Sequence, residues 1–160
     1  MKPKARKQVG ALPIRTESSR TEVMLITSRE TRQWIIPKGW PKRGLTRRTV
    51  AAREAFEEAG IRGKVAKRPF GSYRYDKRLS STLAVPCQVT VFLFQVKRQL
   101  DDWPEKDQRE RCWLTPDEAA ARVSEEELSA LLAGIARRLA VEADEAARRD
   151  KPILVWKRRS

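Results

Sequence analysis

The stretch Gly39-Trp-Pro-Lys-Arg-Gly-Leu-Thr-Arg-Arg-Thr-Val-Ala-Ala-Arg-Glu-Ala-Phe-Glu-Glu-Ala-Gly-Ile61 decides how this 160-residue chain is read. A turn-rich entry, Lys38–Gly44, leads into an uninterrupted run that predicts a helix from about Thr46 to Ala59. Gly60 stands in the position favoured just past a helix C-terminus. Within that helix Glu54, Glu57 and Glu58 fall at i, i+3 and i+4, so the three carboxylates share one face. Like charges so close weaken an exposed helix. A hard divalent cation, which takes oxygen ligands, gives them a reason to be together. A solvated acidic face explains the triplet about as well. Arg53, four residues before Glu57, is placed to orient that carboxylate. Val50, Ala52, Phe56 and Ala59 are the expected packing positions.

The surrounding charge makes the triplet unusual. Residues 1–100 hold 23 basic and 7 acidic residues, a net of +16, and residues 101–160 a net of −2. A basic half points to an anionic partner such as nucleic acid or a phosphate-rich small molecule. The chain contains no histidine and two cysteines, Cys87 and Cys112. Histidine triads, histidine proton shuttles and histidine-bearing metal sites are thereby excluded, and two thiols are too few for a structural zinc site. Chemistry must come from carboxylates, hydroxyls, basic groups or a bound ion.

Working outward, Val9–Arg15, Glu22–Ser28 and Trp34–Pro37 predict three strands. Lys64–Tyr75 predicts extended chain interrupted at Pro69 and Gly71, and Leu83–Lys97 a central strand. Thr115-Pro-Asp-Glu118 combines an N-cap Thr, a Pro at the first helical position and a Glu three residues on. Ser124-Glu-Glu-Glu127 repeats the pattern ahead of an apolar stripe at Leu128, Leu131, Leu132, Ile135 and Leu139. No internal repeat or linker breaks the chain. The expectation is one α/β domain over 1–160, with a basic tail at about 1–8 and a helical extension at about 124–160. No stretch approaches a membrane span or a signal peptide, so a cytoplasmic location without membrane partners is expected.

Arg53-Glu-Ala-Phe-Glu-Glu-Ala-Gly-Ile61, with Gly39 at the required distance upstream, resembles the core of the Nudix box. One position departs: the family has a Glu six residues after the first Gly, where this chain has Leu45. Trp34-Ile-Ile-Pro-Lys-Gly39, Val89–Val96, Leu100-Asp-Asp-Trp-Pro-Glu105 and Arg111-Cys-Trp-Leu-Thr-Pro-Asp-Glu118 are similar to the diphosphoinositol and diadenosine polyphosphate hydrolase branch. From about Ser124 onward no counterpart is recognised.

That resemblance implies a mixed β-sheet sandwiched between helices and a pyrophosphohydrolase dependent on Mg²⁺, with Mn²⁺ able to substitute. It implies Glu54 and Glu58 as metal ligands, with Glu57 as a ligand or as the proton acceptor. Lys38, Gly39 and Arg78 are expected to meet substrate phosphates, and Arg15, Arg74 and Lys77 are further basic candidates. Glu105 and Glu110 are weighed as loop ligands, with structural roles the stronger expectation. Tyr73, Tyr75 and Trp40 are weighed as groups that could stack on a base and are left out of the site, since aromatics beside strands are more often core. The expected substrate is a dinucleoside polyphosphate or a diphosphoinositol polyphosphate. Alternatives are RNA 5′ ends, nucleoside triphosphates, or a non-catalytic nucleotide- or RNA-binding sensor. The oligomeric state is left open.

Overall fold

The computed structural model describes residues 4–149. Eight strands form one sheet: β1 (Arg6–Glu17), β2 (Arg20–Thr27), β3 (Trp34–Ile35), β4 (Lys38–Gly39), β5 (Ile61–Val65), β6 (Gly71–Arg78), β7 (Ala84–Gln99) and β8 (Arg111–Leu114). The main path runs β3-β2-β1-β7-β5, with β4 on β1, β6 on β7 and β8 on β2. The β1–β7 pair is parallel and the others antiparallel, which makes the sheet mixed.

Alternation along the strands supplies a core on each face. On one side Val9, Ala11, Met24, Ile26, Phe92 and Phe94 pack against helix α1 (Arg47–Ala59). On the other, Leu12, Val23, Leu25, Val89 and Val91 meet α2 (Pro116–Arg122) and α3 (Glu126–Arg149). The sheet is sandwiched between helices, as the sequence predicts. Leu128, Leu132 and Ile135 of the apolar stripe are buried, and Leu131 and Leu139 pack at its edge. The first half of α3 is therefore part of the core. Residues 150–160 of the expected extension lie outside the described residues. Among the described residues, no helix is long and apolar enough to cross a membrane.

Three sequence expectations shift. The basic start is partly strand: Arg6, Lys7 and Gln8 pair with Cys87, Gln88 and Val89, and Gln8 is buried. The extended Lys64–Tyr75 stretch is two strands, β5 and β6, which share one edge of the 16-residue β7. Helix α1 buries Val50, Ala51, Ala55 and Ala59, whereas Ala52 and Phe56 are only half-buried. The Phe56 ring instead lies 4.3 Å beneath the Arg62 guanidinium.

The two ends of α1 are fixed by the residues the sequence marks. Thr46 is the N-cap, its hydroxyl accepting the Thr49 N–H at 3.2 Å. Gly60 closes the helix at φ 67°, in the left-handed region. A Cβ on Gly60 would also run into the Trp103 indole. We predict that Gly60→Ala lowers stability by about 2 kcal/mol or more, because the left-handed strain of ~1–2 kcal/mol is joined by a ring clash. An unchanged urea midpoint would contradict this account.

Candidate active site

Helix α1 carries its acids where they are least welcome. No acidic residue occupies its first turn, while Glu54, Glu57 and Glu58 stand toward its C-terminus, the negative end of the helix dipole. Glu54 and Glu58 are buried, each 7% exposed. Burial, followed by repulsion from Glu57, holds the Glu54 carboxyl above its usual range. Burial likewise pushes Glu58 up to about 7, against the attraction of Arg109.

Four neighbours answer this negative charge. The Lys38 backbone N–H donates to Glu58 Oε1 at 3.2 Å. The Arg109 guanidinium, 6% exposed, lies 3.6 Å from Glu58 Oε2, donates to Glu105 Oε1 at 2.8 Å and to the Thr27 carbonyl at 3.0 Å. Arg111 donates to the Ala59 and Gly60 carbonyls at 2.9 and 3.2 Å, serving a helix end that has no basic residue in its own last turn. Arg53 reaches Glu57 Oε1 at 3.3 Å. One atom is left over: Glu54 Oε2 is buried without a hydrogen-bond partner.

Gly39 stands against Glu54 because no other residue fits. A Cβ there would come within 2.5 Å of the Glu54 carboxyl carbon. The Gly39 position thus serves the carboxylate directly.

Lys38, Gly39, Glu54, Glu58, Glu105 and Arg109 line a cleft of about 630 Å³. Its walls are β4 and the Trp40–Lys42 turn, the β2–β3 turn, the end of β6, the loop carrying Glu105 and Arg109, and Glu125 before α3. The Lys38 ammonium lies 4.9 Å from the Tyr75 ring centroid, and the Tyr75 hydroxyl donates to Gln8 Oε1 at 2.6 Å. Burial lowers the Lys38 ammonium to about 8, in spite of the opposing pull of Glu58.

Of the residues singled out from the sequence, Lys38, Gly39, Glu54, Glu58, Lys77 and Arg78 line the cleft together. Arg53 and Glu57 form a pair on the half-exposed helix surface outside that lining. Arg15 is engaged elsewhere, with Glu17, Glu22 and the Trp113 ring, and Arg74 is exposed outside the lining. Glu105 lines the cleft while paired with Arg109, and Glu110 pairs with Arg32 outside it. Tyr73 is core, but Tyr75 and Trp40 line the cleft. Leu45, at the departing position of the motif, is 37% exposed and outside the lining. Cys87 and Cys112 are free thiols outside the lining as well.

Arg109 is the residue sequence reasoning missed. Its i, i+4 spacing from Glu105 was the available signal, yet such pairs are common on surfaces and do not reveal burial.

Residues 4–139 match the family profile described as NUDIX domain. The chain is 35% identical over 106 residues to Nudix hydrolase 13, mitochondrial, of Arabidopsis thaliana, covering 63% of this chain and 52% of that protein. It is 29% identical over 116 residues to diphosphoinositol polyphosphate phosphohydrolase 2 of Rattus norvegicus, covering 71% and 58%. The chain thus spans little more than half the length of these curated relatives. A solved Caenorhabditis elegans Ap4A hydrolase shares the fold with a TM-score of 0.64 at 20% identity, over 85% of this chain and 99% of that one. The matched region reaches Leu139, so the first half of α3, for which the sequence offered no counterpart, lies inside the family domain. With the sheet, the capped helix and the Gly39–Glu54 contact in place, this chain belongs to the Nudix hydrolase family.

Proposed function

We propose that the chain is a divalent-cation-dependent hydrolase of phosphoanhydride bonds in polyphosphate-rich small molecules, the class of dinucleoside polyphosphates and diphosphoinositol polyphosphates. The observation that carries this reading is that two buried carboxylates, Glu54 and Glu58, line one cleft together with Lys38, Lys77 and Arg78. The carboxylates suit a cation, and the basic groups suit the phosphates that the cation accompanies.

The donor set fits a hard ion. Only oxygens are offered, and one buried carboxylate oxygen, Glu54 Oε2, has no partner. Among the described residues no three His, Cys, Asp or Glu side chains form a ready cage. The remaining coordination would come from water and phosphate oxygens, as Mg²⁺ commonly takes them. Glu54 and Glu58 would hold Mg²⁺ or Mn²⁺, with Glu57 beside them. Such an ion supplies neutralisation of the phosphate charge and acidification of the attacking water.

The chain's own residues do the rest. Glu57, oriented by Arg53, is assigned to take the proton as a water oxygen bonds to phosphorus and the anhydride oxygen leaves. Glu105, held by Arg109, lines the cleft and is the rival for that role. Lys38, Lys77 and Arg78, which line the cleft, would hold phosphate oxygens. A cytoplasmic location belongs to this proposal too, beside a relative whose name places it in mitochondria.

Glu54→Gln or Glu58→Gln should lower kcat by roughly a thousandfold, the scale of losing a preorganised electrostatic group. Stability should hold or rise for Glu54→Gln, since the charge removed is buried and repelled by Glu57. Near-full turnover by both variants would sink the assignment. Glu57→Gln and Glu105→Gln, compared by kcat alone, identify the proton acceptor as the one whose loss is larger.

Turnover should cease with a chelator and return with Mg²⁺ or Mn²⁺. Persistence in excess chelator would exclude the metal-dependent reading.

Charge steering adds a third expectation. Raising salt should reduce kcat/KM for diadenosine tetraphosphate more than for adenosine triphosphate, since a longer phosphate chain meets more of the basic half. Equal salt sensitivity would argue against recognition by phosphate number.

A further inference from the structure

Four tryptophans lie within the described residues, and three have a cationic partner. Arg122 lies 5.7 Å from the Trp34 ring, Arg111 3.9 Å from Trp103 and Arg15 4.2 Å from Trp113. The indole N–H groups of Trp103 and Trp113 are also bonded, to the Glu58 carbonyl and to Gln99. Trp40 has neither a ring partner nor a side-chain hydrogen bond among the described residues. It is 38% exposed and lines the cleft.

From this contrast we infer that Trp40 is a stacking platform for a nucleobase, so that the polyphosphate taken by this cleft is a nucleotide derivative. The inference rests on the phosphoanhydride reading above and selects within it.

Place and backbone both support a platform. Trp40 follows Gly39, which abuts Glu54, and Lys38 precedes both. The ring therefore stands next to the groups assigned to metal and phosphate, as the base of a nucleotide stands next to its phosphates. Pro41 follows, restricting the Trp40 backbone to extended conformations.

The other ring in the cleft is already engaged. Tyr75 has Lys38 over its face and its hydroxyl on Gln8. Leu79, 46% exposed, adds an apolar group to the same lining. An inositol ring, studded with hydroxyls and phosphates, has no π-face to offer an indole. A purine or pyrimidine does, and because every base has such a face, stacking selects for the presence of a base with little regard to its identity.

The test is direct binding in Mg²⁺ by calorimetry, with the uncleavable bis-methylene analogues of adenosine triphosphate and of inorganic tripolyphosphate. Both carry three phosphates, so their difference isolates the nucleoside. Wild-type protein should bind the adenosine ligand on the order of tenfold more tightly. That advantage should shrink to within twofold in Trp40→Ala and be largely kept in Trp40→Phe, with melting temperatures unchanged. The uridine analogue should behave like the adenosine one. Equal binding of the two ligands by wild type, or an advantage undiminished in Trp40→Ala, would overturn the inference. Failure of the hydrolase reading shows separately, as an absence of turnover of any phosphoanhydride by wild type, and leaves the binding comparison readable.

Discussion

Two carboxylates buried at the carboxyl end of a helix are the constraint around which the cleft is arranged. Such an end carries roughly half a negative charge of its own, which Glu58 meets in the last turn on top of desolvation. The raised carboxyl values of Glu54 and Glu58 follow first from burial, with repulsion from neighbouring glutamates added. The helix cannot supply the compensation, since its last turn holds no basic residue. It must come from the sheet and its loops: a backbone N–H from β4, the Arg109 guanidinium from the loop before β8, and Arg111 from β8 itself.

The segment Leu100–Arg111 consequently folds around the end of α1. Trp103 donates to the Glu58 carbonyl at 3.2 Å and packs where Gly60 leaves room. The Glu105 N–H donates to the Glu57 carbonyl at 3.1 Å. Arg111 stacks on Trp103 while bonding the Ala59, Gly60 and Leu100 carbonyls. These contacts satisfy carbonyls that a helix end would otherwise leave open, and they bring Glu105 and Arg109 into the cleft. Termination of the helix and completion of the site are one arrangement.

Local punctuation was the most legible part of the fold. Thr46 and Gly60 bound α1, and Thr115 with Glu118 forms the capping box that its spacing predicts, because caps depend on a few adjacent residues. The buried face of α1 was not legible. Alanines at 51, 52, 55 and 59 contrast weakly with their neighbours, and the face actually buried, Val50, Ala51, Ala55 and Ala59, carries Glu54 against Gly39. Residues 6–8 look like a polar tail in sequence, yet pairing with β7 makes them strand. The carboxylates of the motif and Lys38 could be listed from the sequence. The inclusion of Glu105, and all of Arg109, depended on where a loop more than 40 residues downstream returns to the helix, which no local pattern encodes.

The large positive charge of the first 100 residues describes the chain better than it describes the cleft. Lys38, Lys42, Lys77, Arg78, Arg29 and Arg109 line the cleft, but so do Glu30, Glu54, Glu58, Asp76, Glu105 and Glu125. Arg109 is already committed to Glu58 and Glu105. The proposed polyphosphate would be drawn by the long-range field and then meet carboxylates that repel it at short range. A cation on Glu54 and Glu58 would reverse the local sign and leave the lysines free to act on the anion. Because each ligand removes the other's electrostatic penalty, their affinities must rise together, and by thermodynamic reciprocity by the same factor. Under the proposed function the carboxylates would therefore do more than hold an ion: they would make tight binding of a polyphosphate conditional on that cation.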